Sequence, residues 1–353
     1  MRSFRDYNTK LKAAAVMAAA IIAALVCPQQ TLAAPNYFSS KAAGTACADF
    51  LNLPTSARAA AMGGAYSAIS DEASAIYWNP AGLVQIPKLS AVFMRSQYVA
   101  DISYQYAAYA QRLSHSDVIG ISALFTDIGT LDNTDVDGNK LGTFSPKDQV
   151  FTLSYSKAIL EFSDKDMDVS VGIAIKQIHS DIVHSAKSYA GDFGIMTYNF
   201  KDIPYRLAVT VSNFGKGLRY DKEENTLPLT LKLGASVNLF RSLLFSTDAV
   251  FPKQNKPNVL VGTELATEPN ELTRLYLRAG LNTQRLSDGL GGLSLGVGAT
   301  LHFFSLDYAF VPMGDLGTTH RISITFDFPF RSPVFQRRDR SIFTKIKGIT
   351  FKP

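Results

Sequence analysis

The sequence predicts an all-β protein: a closed antiparallel transmembrane barrel of about fourteen strands with an N-terminal helical hatch, or plug, in its lumen. Three observations carry that prediction. From Leu89 to Phe330 the dominant period is two, and the apolar side of the alternation is nearly free of charge. The alternating runs are about ten residues long, where strands of soluble domains average nearer five or six. Long and short connections take turns along the chain, as they do when hairpins project alternately to the two sides of a membrane.

The chain of 353 residues opens with Arg2, Arg5, Lys10 and Lys12, then an apolar run from Ala13 to Val26, then "TLAAPN". Basic, apolar and small residues in that order are the layout of a secretory signal peptide, here residues 1–34, with cleavage after Ala33 or Ala34. The run is shorter than the ~20 residues a spanning helix needs. A mean hydropathy of +0.05 argues against a bundle of membrane helices. Cys27 closes the run, but Val26 is bulky where lipoprotein processing wants a small residue. Removing the signal leaves Cys47 alone, so no internal disulfide can form, and a small buried apolar side chain is its expected role. Much of the excess behind a pI near 9.0 sits in the signal and in a basic C-terminal tail, residues 331–353. The tail reads as a disordered extension or a partner contact. An exported chain has little access to nucleic acid, so no nucleic-acid partner is expected.

Residues 35–88 do not alternate. The stretch "SARAAAMGGAYSAISDEASAIYWNPAGL" is Ala-rich, is broken by Gly63 and Gly64, and holds the single tryptophan, Trp78. It reads as short helices, one of which ends near Asn79 because the residue before a proline is pushed out of the α region. A barrel of about fourteen strands is too wide for wall side chains alone to fill, so some segment has to occupy its lumen. Residues 35–88 suit that role. Ile76, Tyr77, Trp78 and Leu83 are then either contacts for an apolar ligand or plain packing of hatch against wall.

Residues 89–330 form the barrel, with strands near 89–98, 101–112, 117–127, 148–160, 167–180, 187–199, 204–214, 227–240, 242–251, 258–267, 272–284, 291–302, 303–312 and 318–329. In "RISITFDF" Ile322, Ile324, Phe326 and Phe328 share one face, and Ser323, Thr325 and Asp327 the other. "GLSLGVGATLH" sets Leu293, Leu295 and Val297 against Ser294, Gly296 and Gly298. A soluble antiparallel sheet also alternates, with its apolar side inward. A membrane barrel inverts that, placing apolar side chains on lipid and polar ones inside. If the chain enters from the periplasm, the first, third and later odd connections face outside and should be long, as "GTLDNTDVDGNKLGTFSPK" and "GKGLRYDKEENT" are, while even ones such as "LSHS" and "KDIP" should be tight. The connection near Ala100 is an exception, tight where length is expected.

The inward faces carry Lys176, Arg206, Lys232, Arg274 and Arg278 together with Asp192, Asp248, Glu264, Asp307 and Asp327. Bare charges in a plugged lumen would be costly, so these are expected to pair with one another or with the hatch. An ion-selective pore would show one sign in excess. His115, His179, His184, His302 and His320 are scattered, and no nucleophile elbow, phosphate loop or paired-cysteine pattern occurs, so no catalytic residue, cofactor or metal site is assigned. Asn133, Asp135 and Asp137 in "NTDVDGNKLGTF" match the start of a calcium loop, but Phe144 stands where the bidentate Glu should be. A solvated acidic turn is the better reading.

The segments "RAAAMGGAYSAISDEASAIYWNPAGL", "LPLTLKLGASV", "RAGLN" and "LDYAFVPMGDLGTTHRISI" resemble the PorV/PorQ (UPF0164-type) relatives of the FadL outer-membrane transporters. That resemblance implies a fourteen-stranded barrel with an N-terminal hatch, and it makes Asn79, Pro80 and Ala81 the hatch motif. It also implies an outer-membrane protein in contact with membrane lipid. Two functions follow. One is passive transport of hydrophobic or amphipathic molecules across the outer membrane; the alternative is a scaffold or shuttle working with the proteins of a type IX-like secretion system. A soluble exported enzyme or lectin would need a second layer packed on almost every strand.

Overall fold

The computed structural model describes residues 37–98, 102–160, 168–198, 205–239, 242–270 and 272–328. The signal assigned to residues 1–34, the basic tail and the tight connection near Ala100 lie outside the described residues.

Alternation produces what it predicts. Fourteen strands close into one antiparallel barrel: β1 (Leu89–Gln97), β2 (Ser103–Arg112), β3 (Asp117–Asp127), β6 (Lys147–Leu160), β7 (Asp168–Asp181), β8 (Ser185–Tyr198), β9 (Tyr205–Gly215), β12 (Thr230–Leu239), β13 (Leu243–Pro252), β14 (Asn258–Asn270), β15 (Thr273–Asn282), β16 (Leu293–Leu301), β17 (Phe304–Pro312) and β18 (Thr318–Phe328). Each pairs with its neighbour in sequence, and β1 closes on β18, with Leu89 opposite Phe328 and Gln97 opposite His320. Closure leaves no free edge, so the backbone of the wall is hydrogen-bonded within the sheet, as a hydrocarbon environment demands.

Side chains sort as a membrane wall requires. Leu295 is 56% exposed and Ile322 51%, whereas their neighbours Ser294 and Ser323 are 3% and 1% exposed. The apolar stripe therefore faces outward and the polar stripe inward, the inverse of a soluble sandwich.

Connections at one end are short, such as residues 113–116 and the join at His302, which takes a left-handed φ of 58°. At the other end two connections carry hairpins of their own, β4 (Leu131–Thr134) with β5 (Lys140–Phe144) and β10 (Leu218–Arg219) with β11 (Glu224–Asn225). A 3-10 helix, Thr283–Gly292, joins β15 to β16 at the same end. Strand limits differ slightly from the sequence reading for local reasons. β12 starts at Thr230 because Pro228 has no N–H to give to a ladder. β15 stops at Asn282 because that side chain instead caps the 3-10 helix, accepting from the Gln284 N–H at 2.9 Å.

Residues 37–88 hold short helices, including Ala57–Ala61, Ala75–Trp78 and the 3-10 turn Pro80–Gln85, and they pack against inward side chains around the ring. Leu51, Ile76, Leu83 and Ile86 join Val92, Tyr106, Val118 and Ile178 of the wall in one apolar cluster. Ala57, Ala60 and Ala61 pack on Ala309 and Val311 of β17. The Ala-rich composition has a packing reason: small side chains let helix backbone approach the strands.

Candidate functional site

The inner wall holds the N-terminal segment by meeting its backbone. The hydroxyls of Ser156 and Ser170 donate to the Ala81 carbonyl at 3.2 and 2.9 Å. Ser236 donates to the Ala68 carbonyl at 3.1 Å and Ser294 to that of Ala61 at 3.0 Å. Ser323 and Ser90 accept from the N–H groups of Ala57 and Ala73. Helices this short leave most of their backbone groups without intrahelical partners, and the inward serines supply them.

The Asn79-Pro80-Ala81 motif joins two helices. Ala75–Trp78 ends at Asn79, and Pro80 begins the next turn, where its missing N–H is not needed. The Asn79 Oδ1 accepts from the Ala81 N–H at 3.1 Å, and its Nδ2 donates to the Ser67 carbonyl at 3.0 Å. The turn lies against Gly172 of β7 and Gly194 of β8, which sit directly opposite each other. A methyl group on Gly172 would lie 2.3 Å from the Ala81 nitrogen, and one on Gly194 would lie 2.0 Å from the Asn79 Oδ1. Only glycine leaves room for this approach.

Some of the inward charges meet partners, in separate groups, while Arg206, Lys232 and Asp327 form no ion pair among the described residues. Arg58 of the helix Ala57–Ala61 forks onto Glu264 of β14, with Nε at 2.8 Å and Nη2 at 2.9 Å, and its Nη1 reaches Asp71 at 2.7 Å. Arg278 bonds both Glu264 and Asp307 at 2.6 Å. Elsewhere Lys176 pairs with Asp192 at 2.7 Å and donates to the Asn213 Oδ1 at 2.7 Å, beside a register shift between β8 and β9. Asp248 accepts from the N–H groups of Tyr66 and Ser67 at 3.3 and 3.0 Å. Arg206 is half-buried opposite Ser236, and Asp327 is half-buried opposite Ser90. Arg274 departs from the expectation: it is exposed and pairs with the equally exposed Glu268 at 2.9 Å, because it lies at the short-turn end of β15.

A cavity of about 980 Å³ lies between the N-terminal segment and the end of the barrel with the long connections. Tyr77 and Trp78 line it, and Phe50, Leu53, Val250 and Leu260 add apolar surface. The Lys232 ammonium sits 5.0 Å from the centre of the Trp78 ring and 5.9 Å from that of Tyr77. Ile76 and Leu83 are not among the lining residues. Both are fully buried in the apolar cluster against the wall, Ile76 from the helix Ala75–Trp78 and Leu83 from the 3-10 turn that follows it.

Asn133, Asp135 and Asp137 lie in the β4–β5 hairpin rather than a calcium loop. Asp135 accepts from the N–H groups of Asp137 and Asn139 and from the Asn139 amide, so it closes its own turn. Arg58, Asp71 and Asn213 escaped the sequence reading. Arg321, 2% exposed, shares the face of Ser323, Thr325 and Asp327, and extending that face by one step would have found it.

A closed fourteen-strand wall, apolar outside and hydroxyl-lined inside, is the architecture of an outer-membrane β-barrel. The family model described as Type IX secretion system protein PorV matches residues 38–263, and the chain belongs to that family. Among solved structures the chain is similar to the toluene transporter TbuX of Ralstonia pickettii, with a TM-score of 0.50 and 12% identity over 77% of this chain and 98% of that one. It is also similar to a FadL homologue of Pseudomonas aeruginosa, with a TM-score of 0.48 and 11% identity over 78% of this chain and 99% of that one. The TbuX likeness establishes the fold. A comparison with curated proteins returns no match.

Proposed function

We propose that this protein passes hydrophobic or amphipathic molecules across the outer membrane by diffusion. The cavity is the entry site, and the segment around Asn79, Pro80 and Ala81 is the hatch that must shift for passage. The observation that carries this reading is the cavity itself, about 980 Å³, apolar on much of its lining and floored by Tyr77 and Trp78. Its size suits a small ligand, and a few polar groups on an apolar wall are what such sites use. The name printed for TbuX, a toluene transporter of the same fold, is consistent with that use. No step of this reading is catalytic. Liposomes carrying the protein should take up a labelled apolar probe faster than empty liposomes, and equal rates would overturn the reading.

A second reading has its own support. The PorV family match favours a scaffold or shuttle for a secretion system, with secretion-system proteins as partners. Under that reading a partner protein co-purifies in mild detergent, and deletion strands exported cargo in the periplasm.

A further inference from the structure

The outward face of the barrel is not uniform. All five glutamines of the fourteen strands, Gln97, Gln105, Gln111, Gln149 and Gln177, fall on β1, β2, β6 and β7, and all five take the outward side of the alternation. Strands from β8 onward carry none. An amide turned toward hydrocarbon is unfavourable unless it meets a hydrogen-bond partner. Gln111 has one, since it accepts from the Tyr109 hydroxyl at 2.9 Å. Among the described residues Gln105, Gln149 and Gln177 have none.

Register sets these amides beside a hollow. Across β1, β2, β3 and β6 the residues Arg95, Gln105, Phe125 and Gln149 stand directly opposite one another in turn, and Arg95 and Gln105 are both exposed. The next outward row, two residues closer to the short connections, is Phe93, Ala107, Ala123 and Phe151. There the wall has a depression of about 640 Å³, with the two alanines between the two phenylalanines and Ile121 beside them. Alanine leaves space where the aromatic rings stand out. The described acid at this end of the same strands, Asp127, already holds Lys147 at 3.8 Å. The polar row therefore offers a guanidinium and two amides, all able to donate, above an apolar hollow. That division matches an amphipathic lipid standing in the leaflet on the side of the long connections.

We propose that the outer wall of β1, β2, β3 and β6 is a binding site for a phosphate-bearing anionic membrane lipid. Its phosphate meets Arg95 and Gln105, its ester oxygens meet Gln149, and its acyl chain lies over Ala107 and Ala123. A guanidinium suits a phosphate because its planar fork donates two parallel hydrogen bonds. Cationic side chains at a membrane surface also gain from anionic head groups. The site lies on the outside of the barrel, so it stands whether or not the lumen passes a ligand.

A tryptophan placed in the hollow provides the readout. Full-length protein carrying Ile121→Trp is reconstituted in phosphatidylcholine vesicles that contain a brominated phosphatidate or a brominated phosphatidylcholine. The same is done with Leu295→Trp, on the outward face of β16, and the quenching of the unaltered protein, whose single Trp78 is buried in the lumen, is the baseline for both. At Ile121→Trp the phosphatidate is expected to be preferred about fivefold over phosphatidylcholine, and at Leu295→Trp about equally. Adding Arg95→Met should bring the preference at Ile121→Trp to within about twofold of equality. The same preference at both reporters overturns the site, as does a preference that persists in Arg95→Met. Quenching at Leu295→Trp but by neither lipid at Ile121→Trp also overturns it, because a protein, a second copy or another chain, then covers the hollow. Comparison of the two reporters keeps the test decisive should the Arg95→Met variant fail to fold.

Discussion

Arg58 and Glu264 meet in a two-point contact across the lumen, one from a five-residue helix and the other from the barrel wall 206 positions later in the chain. It is the charged link between the interior segment and β14. Arg278 and Asp71 extend it on either side.

Removing Glu264 takes one carboxylate from each of two buried arginines and leaves Asp71 and Asp307 as their remaining partners. Glu264→Gln should lower stability by about 3–5 kcal/mol, because Arg58 and Arg278 both lose a carboxylate. Heat-modifiability on SDS gels reads the loss. A double-mutant cycle with Arg58→Met should return a coupling of about 1–3 kcal/mol, and additive effects would show that the contact contributes nothing.

Gly172 and Gly194 make a second, purely steric claim. Gly172→Ala places a methyl group 2.3 Å from backbone atoms of the Asn79–Ala81 turn, which cannot swing aside as a side-chain end could. The expected cost is about 1–3 kcal/mol, with faster protease cleavage within residues 37–88. Gly142→Ala, with nothing within 4 Å, should be neutral under the same protease.

Glu72 predicts a pH dependence. Burial pushes its carboxyl from an ordinary 4.5 up to about 7, against the opposing pull of Arg58 and of the Ser74 hydroxyl, which donates at 2.7 Å. The folded protein therefore holds this proton more tightly than the unfolded chain. The stabilisation it gives is complete below about pH 4.5 and is lost as pH rises through about 7. Glu72→Gln should flatten melting temperature across that window, and an unchanged slope would assign the dependence to another group.

The lipid-facing wall is tested at Ile175, 59% exposed in the middle of β7. Ile175→Arg should destabilise the barrel by about 2–4 kcal/mol in bilayers, because a charge there must sit in hydrocarbon. Val136→Arg, at a fully exposed loop position, should change stability by less than about 0.5 kcal/mol.

Particular residues show how far reading along the chain reaches. Ile322 and Ser323 are adjacent, so their opposite fates follow from strand geometry and could be read directly. The same holds for the Asn79–Pro80 helix end, where the constraint acts between neighbours. That inward charges such as Lys176, Asp192, Glu264 and Arg278 share one side of their strands was also legible from the alternation. Which charge meets which was not. Arg274 alternates correctly with Arg278 yet lies at the strand end with Glu268, because distance along the barrel axis is invisible to a period of two.

Local alternation and turn chemistry thus determined the closed barrel, its inside-out polarity and the position of a helical segment ahead of it. Tertiary structure decided that Arg58 finds Glu264, that glycines on β7 and β8 cradle the Asn79–Ala81 turn, and that Lys176 finds Asp192. The physical reason is range: pleat and proline act between neighbours, whereas contacts across a lumen depend on barrel closure and register, which join residues hundreds of positions apart.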